Sequence, residues 1–156
     1  MSSHGPYCVL DAQSAITAMS TSPSNRKAVT IAVSLLKRQD PTTIQTLKNL
    51  LTFIPNPNHV QRILVAAVIE LVRTSPCSAL WLFQHPKVLE PELHVREIIV
   101  QELTNKLCSW GYTLDDFHFT VDQRLETSEA TRSSLLVHQP IPDDAAFLTL
   151  IQAFLR

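Results

Sequence analysis

Glycine is almost missing from this chain, with two residues among 156. That scarcity excludes Gly-rich phosphate loops and a fold built on many tight hairpin turns, which draw on glycine's backbone freedom. Cysteine is nearly as scarce: Cys8, Cys77 and Cys108 are an odd number without metal-ligand spacing. No Asn-X-Ser/Thr acceptor occurs. The opening stretch MSSHGPYCVLDAQ has no basic segment followed by a long apolar one, so it does not read as a secretory leader. Long apolar runs are absent too. The longest, residues 63–72, is interrupted by Glu70 and spans ten positions, against the roughly 20 that a membrane span needs. These absences point to an intracellular location, cytoplasmic or nuclear, away from the membrane.

What is present is apolar and helical. Hydrophobic residues make up 45% and charged residues 17%, which argues against general disorder. A chain of 156 residues suits one domain and can bury a core without metal or disulfide support. In DPTTIQTLKNLLTFIPNPNHVQRIL, Asp40 to Leu64, a cap residue followed by proline occurs twice, as Asp40-Pro41 and Asn56-Pro57. The cap accepts a free backbone N–H, and proline fits the first helical position because its missing N–H costs nothing there. Ile44, Leu47, Leu51 and Ile54 follow the first at helical spacing, with Leu50 widening the stripe. Val60, Ile63, Leu64, Ala67, Val68, Leu71 and Val72 follow the second so densely that this helix is expected to be surrounded by others.

Pro23, Pro41, Pro57, Pro76 and Pro91 all have the look of helix openers. They stand 18, 16, 19 and 15 residues apart, so alternate ones are separated by 34, 35 and 34. A helical hairpin with short turns has about that length. The units share little side-chain similarity, however. Two arrangements fit: antiparallel hairpins stacked as a HEAT- or armadillo-like array, or a compact multi-helix bundle. Both are all-α, with seven or eight helices.

The remaining segments read less evenly. Tyr7–Met19 has helical spacing at Val9, Ala12, Ile16 and Met19, and Lys27–Gln39 at Ala28, Ile31, Ala32, Leu35 and Leu36. Pro76–Gln84 is short and apolar, and Pro91–Trp110 is longer, with Gly111 placed to end it. YTLDDFHFTVD fits a short helix from Thr113 or an extended path through Phe117, Phe119 and Val121. Residues 112–127 are therefore the expected joint in what is otherwise one domain over 1–156. Ser128 is placed to cap a helix through Leu136. A last helix from Pro142 carries Phe147, Leu150, Ile151 and Phe154 on one side and stops in mid-pattern at Arg156. Such an ending suits a longer helical array or a final helix docked on the core.

Chemistry-bearing patterns are sparse. The histidines form no HExxH or HxxxH pair and join no CxxC, so no metal or cofactor is expected. Asp115, Asp116 and His118 are a tight group of acids and imidazole, but helix-start electrostatics explains the acids, and no nucleophile accompanies them. No catalytic residue is assigned, and the chain is expected not to be an enzyme. Thr21-Ser22-Pro23 and Thr74-Ser75-Pro76 are candidate acceptors for a proline-directed kinase, and equally cap-and-proline helix starts. Charge is uneven along the chain. Residues 1–88 carry eight Lys/Arg against three acids, a balance of +5, and residues 89–156 carry five against eleven, a balance of −6.

The expectation is a protein-protein interaction domain: an adaptor, scaffold or complex subunit. The alternative is a nucleic-acid-associated accessory protein using the basic residues between 26 and 87. Candidate partner-binding residues are Arg26, Lys27, Lys37 and Arg38, which flank one helix, and the stripe of Phe147, Leu150, Ile151 and Phe154. A stripe this wide needs a cover, from its own core or from a partner, and its own core is the expected one.

Overall fold

The computed structural model describes residues 26–91, 93–121, 124–138 and 141–155. The helix expected at Tyr7–Met19, and Thr21-Ser22-Pro23, lie outside the described residues. Among the described residues the chain forms seven α-helices: α1 (Arg26–Leu36), α2 (Pro41–Leu51), α3 (Pro57–Thr74), α4 (Pro76–Gln84), α5 (Val95–Ser109), α6 (Glu129–Val137) and α7 (Ala145–Phe154). Two strands, β1 (Phe117–Phe119) and β2 (Leu125–Thr127), pair antiparallel, with His118 opposite Glu126. The protein is thus dominantly helical, with a small sheet.

The caps explain the helix starts. Asp40 accepts from the backbone N–H groups of Thr42 and Thr43 and from the Thr43 hydroxyl, and Pro41 occupies the first turn of α2. The Thr43 hydroxyl bond is the main cause holding the Asp40 carboxyl below its ordinary range. Asn56 repeats the arrangement at α3 by accepting from Asn58 N–H at 2.9 Å. Ser128 caps α6 through Thr131 N–H. Ser75 stands at the cap position of α4, but its hydroxyl makes no capping bond. Gly111 ends α5 at φ +97°, with Gly111 N–H bonded to Cys108 C=O and Tyr112 N–H to Leu107 C=O. That pair of bonds is a Schellman closure, and glycine takes the left-handed position without Cβ strain.

Pro91 departs from the proline pattern. It follows a cis peptide in the turn after α4, and α5 begins only at Val95. The two residues before Val95 run without helix, so α5 starts without a proline or a side-chain cap. The segment after Gly111 takes the extended form at 117–119 and finds its partner in β2. Asp116 accepts from both Thr113 N–H and the Thr113 hydroxyl, closing a turn where a helix start was the competing reading.

Burial follows from α3. Ile63, Leu64, Ala67, Val68, Leu71 and Val72 have no exposed surface, because α3 packs against α1, α4, α5 and α7. The same core extends from Ala28 to Leu155 and takes in Phe117 and Leu125 from the two strands. Phe83 of α4 and Phe119 both set their rings edge-on to Phe154 of α7, at 4.7 and 6.4 Å between centroids. Leu155 then leaves α7 in extended conformation and bridges Leu125 in parallel.

Side-chain bonds fix the direction of the helices. The Ser78 hydroxyl, just inside α4, donates to Lys37 C=O and accepts from Gln39, so the end of α1 lies beside the junction of α3 and α4. Arg73 at the end of α3 bonds Glu102 at the middle of α5, and Arg73 and Thr74 share a groove with Asn105, Lys106 and Ser109 from the last turns of α5. Helices α1, α3 and α5 therefore run the same way, side by side.

Candidate functional site

The parallel face of α1, α3 and α5 carries two open grooves. The first, of about 590 Å³, lies between α1 and α3, with Val29, Val33 and Ala66 among its lining and Arg26, Lys37 and Glu70 as its charges. The second, of about 850 Å³, lies between α3, α5 and the start of α7, with Arg73, Glu102, Lys106, Asp143 and Phe147 in its lining. Glu70 and Thr74 belong to both, so the grooves adjoin along the second half of α3.

The cations differ between them. In the second groove each cation is already held. The Arg73 Nε donates to Glu102 at 2.9 Å, and Lys106 pairs with Asp144. Lys106 Nζ also lies 5.3 Å from the centre of the Phe147 ring. Asp144 is buried, accepts in addition from the Trp110 indole N–H at 3.3 Å, and is held below the usual carboxylate range chiefly by Lys106. His138 stacks on Trp110 at 4.0 Å, tying the end of α6 to the same cluster. In the first groove, Arg26 and Lys37 are exposed, and neither has an acceptor among the described residues.

The structure separates the four basic candidates. Arg26 and Lys37 are eleven residues apart on α1 and its terminal turn, which places them within about 20° of each other around the helix. Lys27 and Arg38 are one residue further on in each case, so they turn away and do not line the groove. The apolar candidates are placed otherwise. Phe147, Leu150, Ile151 and Phe154 are 3%, 0%, 0% and 4% exposed. They face α3, α4 and α5, so the stripe is covered by this chain's own core, with Phe147 alone also lining the second groove.

Asp115, Asp116 and His118 do come close together, beside Glu126 and Thr127 of β2 and Arg132 of α6. His118 Nε2 lies 3.1 Å from Glu126, with both side chains largely exposed. Asp116 is engaged by Thr113, leaving no nucleophile–base pair among them. Among the described residues no three His, Cys, Asp or Glu side chains are grouped to hold a metal ion. No helix among them is long and apolar enough to cross a membrane.

Sequence reasoning missed Glu102, Lys106 and Asp144, and counted Arg73 only among the basic residues of the first half. Their pairings join positions 29 and 38 residues apart, and no local spacing signals such a contact. Glu102 did carry one hint, as a carboxylate on the apolar face between Ile99 and Leu103 of α5. The chain matches no family model, no curated protein and no solved structure.

Proposed function

We propose that this chain is a non-enzymatic protein-binding domain, acting as adaptor, scaffold or complex subunit. The observation that carries the reading is the open, grooved face of α1, α3 and α5. It is built as stacked helical hairpins in the HEAT- or armadillo-like manner. Support for that arrangement comes from the order of contacts. Helix α1 packs with α2 and α3 with α4, while α3 also touches α1 and α5, and α7 closes over α3, α4 and α5. Stacked hairpins bury their shared sides and leave one layer of helices to present a groove, which suits a helix or extended segment of another protein.

The nucleic-acid alternative draws on the same basic first half. Against it stand the carboxylate of Glu70 in the groove and the turning away of Lys27 and Arg38, which leave too few aligned cations to follow a phosphate backbone. Affinity capture with and without nuclease separates the two. The protein-binding reading expects a partner retained after nuclease treatment. Tight RNA or DNA binding that weakens steeply with salt, and weakens further in a Lys37→Glu/Arg38→Glu variant, replaces it with the alternative.

A further inference from the structure

We infer that the groove between α1 and α3 takes an acidic amphipathic helix of a partner protein, with carboxylates seated on Arg26 and Lys37 and an apolar face laid on Val29, Val33 and Ala66. This rests on the protein-binding reading above and names the chemistry of the partner. The argument is charge complementarity together with spacing. Of the two grooves on this face, only the second has its cations satisfied internally, by Glu102 and Asp144. Arg26 and Lys37 stand at opposite ends of the first groove without an acceptor among the described residues. Eleven residues of helix span about 16 Å, and a ligand helix lying along α1 places carboxylates eleven positions apart over the same distance and on the same side. Between them the floor sets Val29, Val33 and Ala66 beside the hydroxyls of Thr30 and Ser34, a mixed surface on which the apolar face of a helix can lie. Glu70 at the far rim repels the same ligand, so its removal strengthens binding, an effect opposite in sign to removing either cation.

The probe is a displayed library of 14-residue amphipathic helices with Leu on one face. The two positions eleven apart carry Glu, Gln or Lys in otherwise matched members. The intact chain is expected to enrich Glu members at least tenfold over their Gln counterparts. Glu70→Gln raises that preference, and Arg26→Glu/Lys37→Glu inverts it in favour of Lys members. Both cations are exposed, so the variants keep the wild-type melting profile, checked by circular dichroism. Equal enrichment of Glu and Gln members, or a Glu preference unchanged in the double variant, overturns the inference. Capture of a nuclease-resistant partner that ignores both cations also overturns it and leaves the protein-binding reading standing. If capture yields only nucleic acid, both fall.

Discussion

The stretch from α1 to α4 and the stretch from Tyr112 to the end of α6 are built on different terms. In the first, each helix has its own apolar stripe, and α2 and α3 have cap-and-proline starts, so each segment specifies its conformation locally. In the second, the strands are three residues each, and of α6 only Leu135 is buried, while Leu136 and Val137 face solvent. The hairpin is anchored by Phe117 and Leu125 in the core, and the Thr127 hydroxyl closes its open end by donating to Asp116 C=O. Helix α6 is held by few ties, among them the Tyr112–Ser134 bond at 2.7 Å and the Trp110–His138 stack. Local pattern decides structure where it is long enough to bury a face. Elsewhere, a few distant contacts decide it.

The comparison breaks most visibly at α3. Leu64→Asp puts an uncompensated charge where no surface is exposed and is expected to abolish cooperative thermal unfolding. Wild-type melting would remove α3 from the centre of the fold. Deleting residues 142–156 strips four buried side chains of α7 from three neighbouring helices. The product is expected to aggregate or lose its sharp melting transition. A truncated chain that stays folded would show α7 to be an appendage.

Within the second region a matched pair sharpens the contrast. Phe117→Ala is expected to cost about 3–5 kcal/mol, as buried aromatic truncations do, because the ring anchors the strand pair at 5% exposure. Leu136→Ala, at 46% exposure, is expected to stay within about 0.5 kcal/mol. Equal losses in urea titrations would contradict the division between anchored hairpin and lightly held α6. In the first region, Asp40→Ala removes the α2 cap and is expected to cost about 1 kcal/mol. A change near zero would show that Pro41 and packing start that helix unaided.

The smallest effect comes from pH. The Asp144 carboxyl is held below its ordinary range mainly by Lys106, so the folded state binds its proton less readily than the unfolded chain does. Its contribution is therefore complete above about pH 4, near the unfolded value, and is lost as pH falls through the lower folded value. Acid titration of the melting temperature should show a shallower decline in Asp144→Asn than in the unaltered chain over that range. Parallel curves would mean that the Lys106–Asp144 pair does not contribute to acid sensitivity.

The amino-acid sequence by itself determined the helical character and many of the helix ends, since a 3.6-residue apolar repeat, a cap and a proline each act within one or two turns. Asp40, Asn56, Ser128 and Gly111 are of this kind. It also determined that the α7 stripe must be covered, though not by what. Only the tertiary structure decided that α4 and its neighbours supply the cover, that Pro91 closes a turn instead of opening a helix, and that Phe117–Phe119 pairs with Leu125–Thr127. The same is true of the grooved face of α1, α3 and α5. Arg26 and Lys37 have no acceptor among the described residues while Arg73 and Lys106 are held, because partners for the second pair come from α5 and the turn before α7. Such pairings depend on which distant segments the packing brings within a few ångströms, and no short-range pattern records that.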